Sequence, residues 1–323
     1  MNRALFLGLA FVVFTSGCVI PGTDIVIPIP GFGGPREQTD DVVIITSFDA
    51  QPNKISPSQQ TNLIAYVQNK GSERFANGGR FGTVSIELYD YCSDLYEDVT
   101  MRCGPQPEVG TLCVIDRLLP QEIKPITWAL KAKQNITLPI TCPPDGMKVA
   151  VRYSYSTPSS TTVSFIDPDE YQSQLERKTF KTIESQISAG EGPVKPFLTV
   201  EDQQPISAHE GSKVTFAFQI KNRGTEGQGF LVGNSIPKDK IIITAEDTEL
   251  KAALDKCKEA WPAEITLIRK ESSKYLCQID VPANIISSIV NNKETTRTIN
   301  IQISYEYEFR DYEKVTIEPK FIG

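Results

Sequence analysis

Histidine is nearly absent from this chain: His209 is the only one among 323 residues. Imidazole is the commonest general base near neutral pH and a frequent metal ligand, so chemistry that needs several histidines is excluded at the outset. His209 itself falls in a predicted turn beside Glu210-Gly211, where a solvated ring is expected. No H-E-x-x-H stretch and no glycine-rich phosphate loop occurs. The cysteines never stand in the tight C-x2-C pairs of structural zinc sites. A basic surplus is also missing: 33 Lys and Arg face 40 Asp and Glu, for a net charge of -7. Nucleic acid wants clustered cations, so it is not an expected partner. No catalytic residue, metal or cofactor is assigned on these grounds, although a Ser/Lys pair stays open.

No apolar run is long enough to span a bilayer, which takes about 20 residues. The one that exists, Ala4 to Phe14, follows Arg3 and precedes the small residues Thr15-Ser16-Gly17 and then Cys18. One positive charge, a short apolar core and a small-residue cleavage site make up a secretory signal. Cys18 adds a second meaning, because Thr15-Ser16-Gly17-Cys18 resembles the lipobox of prokaryotic lipoproteins, in which the cysteine becomes the N-terminus and carries a diacyl lipid. Thr15 in place of the usual leucine is similar to the archaeal form. The alternative is an ordinary signal peptide with an incidental cysteine.

Cysteine arithmetic bears on that choice. There are seven: Cys18, Cys92, Cys103, Cys113, Cys142, Cys257 and Cys277. An odd count in an exported protein leaves one thiol to explain, and lipid on Cys18 leaves six for disulfides in an oxidising compartment. Residues 1–17 are therefore read as a lipoprotein signal peptide. Residues 18–41, rich in Pro and Gly, form a semi-stiff tether; its apolar Ile25, Val26, Ile27, Ile29 and Phe32 leave open that it lies on the lipid or on the first domain.

From Val42 the pattern turns to short strands of period 2 broken by Pro, Gly and Asn turns. Candidates are Val42 to Ile45, Thr61 to Asn69 with Leu63, Ala65 and Val67 on one face, Gly82 to Tyr89, Glu122 to Lys131, Asn135 to Thr141 and Lys148 to Tyr155. The second half repeats the first. Val214 to Lys221 runs into Asn222-Arg223-Gly224 as the earlier strand runs into Asn69-Lys70-Gly71, and Ile301 to Tyr307 echoes Val149 to Tyr155. Asn69 to Tyr153 is 84 residues and Asn222 to Tyr305 is 83, which points to a tandem duplication. The expected fold is all-β: two tandem antiparallel immunoglobulin-like β-sandwich domains, residues 42–166 and 196–323, joined by a short helical linker over 167–195. Asp167 as N-cap with Pro168 at the first position predicts the linker helix; Asp247 to Ala260 and Ala283 to Asn291 read as two more.

Strands that end in Asn-(Lys/Arg)-Gly after a Pro-containing turn resemble the immunoglobulin-like modules of extracytoplasmic prokaryotic proteins, notably the CARDB (cell-adhesion-related) type. With the lipobox, the chain resembles archaeal surface lipoproteins. That resemblance implies a non-enzymatic role in structure, adhesion or protein interaction, with a protein or glycan partner and a lipid anchor on the outer face of the cytoplasmic membrane. The alternative is an accessory or binding subunit of an envelope secretion, pilus or transport complex.

The duplication suggests the disulfides Cys257–Cys277 and Cys113–Cys142, with Cys92–Cys103 closing a local loop, although four cysteines allow three pairings. Asn135-Ile136-Thr137 is an N-glycosylation sequon. Tyr153, Tyr155, Tyr305, Tyr307 and Phe309 recur at period 2, either as core or as stacking platforms for sugars, with core the expected role. Carboxylates cluster at Asp94, Glu97 and Asp98 and at Asp167, Asp169 and Glu170; helix capping accounts for the second group.

Overall fold

Two twenty-residue strands, Met147–Ile166 and Glu294–Glu313, pair antiparallel along their whole length. A computed structural model describes residues 40–97, 99–104 and 107–319, with the short strands Cys18–Val19 and Val26–Ile27. The expected signal peptide, the side chain of Cys18, most of the expected tether and Asp98 lie outside the described residues. The chain divides into the units Met1–Thr39 and Asp40–Gly323; in the first, Cys18–Val19 pairs antiparallel with Val26–Ile27.

The second unit is mostly antiparallel strand with three α-helices among the described residues. The long pair forms the centre of an eight-stranded sheet, flanked on one side by Val84–Tyr89 and then Leu112–Ile115, and on the other by Gly229–Leu231 and Ile241–Ala245. In the first half, Val43–Gln51, Gln60–Asn69 and Ile123–Lys131 belong to a five-stranded sheet completed by Thr100–Arg102 and Pro107–Val109. In the second half, Val194–Val200, Lys213–Asn222 and Tyr275–Asp280 belong to a six-stranded one completed by Ser235–Pro237, Glu264–Ile268 and Glu271–Ser272. Side chains alternate with the pleat, so Leu63, Ala65 and Val67 are each 0% exposed on one face of their strand. Trp128 is fully buried, edge-on to Phe48 with ring centroids 6.4 Å apart. Trp261 stacks on Phe218 at 4.3 Å.

The ladder of the long pair shows how the halves relate. A shift of 152 residues, the spacing of Tyr153 and Tyr305, carries Tyr155 onto Tyr307, and the observed partners are Tyr153↔Tyr307 and Tyr155↔Tyr305. Ser154↔Glu306 maps onto itself, so a local two-fold axis passes through that pair. This is the isologous geometry of a symmetric dimer, built within one chain. Each long strand also crosses over. Met147–Ile166 starts against Val84–Tyr89 of its own half and ends parallel to Ile206–Ser207 of the other. The strand after the second long one, Thr316–Ile317, in turn lies parallel to Lys54–Ile55 of the first half. The halves therefore share one sheet in addition to being joined through the segment 167–195.

The helices lie where capping chemistry puts them. Helix α1, Pro168–Glu176, is capped by Asp167, whose carboxylate accepts from the amides of Asp169 and Glu170. Helix α2, Thr248–Glu259, is capped in the same way by Asp247. That carboxylate also accepts from Asn284 at the start of helix α3, Ala283–Asn292. Burial acts to raise the pKa of Asp247, but the amides of Leu250 and Glu249, the Asn284 side chain and Arg297 together hold it below the usual carboxylate value.

Three disulfides are present, Cys257–Cys277, Cys92–Cys142 and Cys103–Cys113. The first is the pair expected; the other two correct the expected Cys113–Cys142 and Cys92–Cys103. Register explains the exchange. Tyr89 pairs with Lys148, so the chain leaving one strand through Cys92 and the chain entering the other through Cys142 pass the same end of the sheet. Cys113 sits on Leu112–Ile115, where its Cα lies 5.6 Å from that of Cys103 just beyond Thr100–Arg102. The strand expected over Asn135 to Thr141 is also shorter: only Ile140–Thr141 is strand, and Asn135 lies in an exposed turn.

Candidate functional site

The two-fold axis is where both halves contribute to one surface. Beneath it, on the inward face of the long pair, lie Tyr153, Tyr155, Tyr305 and Tyr307, with cross-strand centroids 5.7 Å apart for Tyr153 and Tyr307 and 6.4 Å for Tyr155 and Tyr305. None is more than 8% exposed, so the rings are core and not stacking platforms. Burial raises all four pKa values, that of Tyr155 to about 12.

Around this layer the two Asn-x-Gly turns are bound by the opposite half. Asn69 accepts from the amide of Gly71 at 3.0 Å and Asn222 from that of Gly224 at 2.9 Å. The residue after each glycine is then held by an acid that precedes the other half's first strand. Asp41 accepts from Thr225 through its amide at 2.7 Å and its hydroxyl at 2.5 Å. Glu191 accepts from Ser72 through its amide at 2.9 Å and its hydroxyl at 2.8 Å. Asp41 is 4% exposed, whereas Glu191 and Ser72 are on the surface. Asp40 and Asp41, the last two residues of the expected tether, thus belong to the folded unit, because their carboxylates bind Lys195 and Thr225.

The outward face of the long pair is polar. Arg152 and Arg310 both bind Glu308, and Arg152 also reaches Glu87 at 3.1 Å, so this ionic group joins the halves. Burial acts to raise the Glu308 pKa, but the two arginines hold it below the usual value. Next along the strands, Ser156 and Ser304 pair across the ladder at 3.2 Å and Gln302 donates to Ser156 at 2.7 Å. Here an open cleft of about 470 Å³ straddles the axis. Its floor carries Ser154, Ser156, Ser304 and Glu306. One wall is Arg80-Phe81, from the connection before Val84–Tyr89; the other comes from the corresponding connection of the second half, with Ser235 and Lys240. The Arg80 guanidinium lies over the Phe81 ring at 5.0 Å. Among the described residues, Arg80, Lys240 and Glu306 make no salt bridge.

No protein-family model and no curated protein sequence matches this chain. The site thus rests on its own geometry. Of the residues singled out from the sequence, none lines this cleft except Tyr155 and Tyr305, which form its lower edge. His209 is exposed and its Nδ1 lies 2.9 Å from the Ser212 hydroxyl. Glu97 pairs with Lys131 at 2.8 Å, and Asp167 caps α1. No group of metal-ligating side chains occurs among the described residues. Asn135 borders a separate shallow depression lined by Ser56, Pro57, Gln59, Ile136, Thr137 and Pro319. Sequence reasoning missed Arg80 and Lys240, since nothing in their local context marks them; only the pairing of the long strands brings their two connections to one cleft.

Proposed function

We propose that this protein is a lipid-anchored contact protein outside the cell, a non-enzymatic module that meets a protein or glycan partner at the surface. Disulfides belong to an oxidising, extracytoplasmic environment. The observation that carries the reading is the cysteine account: six of the seven cysteines are paired, and the seventh is Cys18 in Thr15-Ser16-Gly17-Cys18. A lipid on that sulfur would place the folded unit on the outer face of the cytoplasmic membrane. We further propose that the halves descend from immunoglobulin-like modules of the CARDB type. The shared sheet supports a role in contact, since it leaves one continuous polar face across both halves. The test is fractionation of cells expressing Cys18→Ser. Release of the variant from the membrane fraction is expected, and full retention in high salt would remove the anchor.

A further inference from the structure

We infer that the cleft on the two-fold axis binds an acidic saccharide, with a carboxylate or sulfate held between Arg80 and Lys240 and sugar hydroxyls on the serine floor. The inference rests on the surface-contact reading above and names the ligand class of this site.

Three features of the cleft converge on that chemistry. The first is charge. Arg152 and Arg310 are committed to Glu308, whereas Arg80 and Lys240 are exposed, line the same cleft and form no salt bridge among the described residues. Stacking on Phe81 holds the planar guanidinium of Arg80 against the wall. A guanidinium presented in that way suits the two oxygens of a carboxylate or sulfate.

The second is the floor. Ser154 and Ser304 offer hydroxyls that both donate and accept, and Glu306 offers an acceptor, while Ser156, 8% exposed and already bonded to Ser304 and Gln302, holds the floor in place. Saccharide hydroxyls need this mixture. Phe81, Val232 and Pro237 add an apolar lining on which the carbon face of a sugar ring can rest, and a second strand would need free backbone groups in place of side-chain hydroxyls. The carboxylate of Glu306 also disfavours a ligand charged along its whole length, such as a polyphosphate, while accepting hydrogen bonds from a ligand with spaced anionic groups.

The third is shape. The cleft lies on the outward face of the long strands, where, past the Pro158 and Gln302 pair, Ser160, Thr162, Thr298 and Asn300 follow beyond the serine floor. Ser164 and Thr296 end this run with a hydroxyl pair at 3.0 Å. From Ser154 to Ser164 a strand covers about 33 Å at the usual rise of 3.3 Å per residue, so an extended chain of several sugar rings fits along it. Because the walls come from one half each, the site exists only when both halves are joined.

The experiment uses the full mature chain with Cys18→Ser, titrated calorimetrically with oligogalacturonate, the neutral oligosaccharide of equal length, inorganic sulfate and anionic phospholipid vesicles. Binding of oligogalacturonate that weakens with salt, at least ten-fold tighter than the neutral oligosaccharide, is the expected result. Arg80→Ala and Lys240→Ala should each weaken it about ten-fold, Arg80→Lys should recover only part of the loss, and Ser304→Val should weaken it independently of salt. The thermal midpoints of the two cation variants should match the parent, since both side chains are exposed. Equal binding of the neutral oligosaccharide, indifference to both cation substitutions, or vesicle binding through the same two residues without oligosaccharide binding would each overturn the inference. Tight binding of sulfate alone would do so as well, by showing a simple anion site. Membrane release by Cys18→Ser is scored separately, so a failed anchor and a failed ligand give different results.

Discussion

Replacing Asp41 by alanine should cost far more stability than replacing Glu191, although each acid makes the same two hydrogen bonds to the residue after an Asn-x-Gly turn. Asp41 is 4% exposed and accepts from Thr225 at 2.7 Å and 2.5 Å. Hydrogen bonds to a charged acceptor contribute about 1.5–3 kcal/mol each when removal strands a buried donor. The two here share one oxygen, and the Thr225 hydroxyl is free to turn elsewhere, so they do not count in full. The other carboxylate oxygen is buried without a partner, and losing its desolvation penalty offsets part of the damage. A net loss of about 2–3 kcal/mol follows for Asp41→Ala. Glu191 and Ser72 are in water, which replaces the lost bonds, so Glu191→Ala should cost under about 1 kcal/mol. Equilibrium urea unfolding of the Cys18→Ser chain, followed by the fluorescence of Trp128 and Trp261, measures both. With a slope near 2–3 kcal/mol/M, the midpoint should fall by about 1 M for Asp41→Ala and by no more than about 0.4 M for Glu191→Ala. Equal losses, or a larger loss at Glu191, would refute the argument that burial decides the strength of these contacts.

Two further outcomes are expected. A Cβ on Gly224 would lie 1.7 Å from the Tyr307 hydroxyl and 2.7 Å from Asp41 Oδ1, so Gly224→Ala should destabilise by about 1–3 kcal/mol or more through overpacking. Tyr307→Phe removes the nearer oxygen and should recover part of that loss in a double-mutant cycle; strict additivity would count against the contact. Burial raises the pKa values of Tyr153, Tyr155, Tyr305 and Tyr307 above the ordinary 10.0. The neutral ring is thus favoured in the folded state, and the stability this contributes is full below pH 10 and lost as pH rises through the folded values. Unfolding midpoints should fall steeply above about pH 10 and be flat from 8 to 9.5 on this account, and the tyrosinate absorbance that Tyr155→Phe removes should appear only together with unfolding. A Tyr155→Phe difference that titrates near pH 10 in a chain still folded would contradict the burial.

Local chemistry was the legible part. Period-2 runs located central strands such as Gln60–Asn69, Ile123–Lys131 and Lys213–Asn222, with the Leu63, Ala65 and Val67 face, because a pleated strand turns alternate residues the same way. Asp167 and Asp247 announced α1 and α2, because an N-cap acts within four residues of itself. The lengths of the long strands were not legible: Pro158 and the Ser/Thr run from Ser156 to Thr162 resemble a strand end, yet the partner strand extends the ladder through them. The first-half disulfides failed for a related reason, since a pairing depends on register and register is not a local property.

By itself, the sequence determined the repeat, the caps, the alternation of each strand and the surplus cysteine at position 18, all of which follow from neighbours along the chain. Only the tertiary structure decided that the halves exchange their last strands, that Cys92 meets Cys142, and that Arg80 and Lys240 line one cleft over a floor of serines. These depend on contacts between residues up to 264 positions apart, as in the Lys54 to Glu318 pair. Such contacts are selected by the packing of the whole unit and leave no periodic trace in either partner.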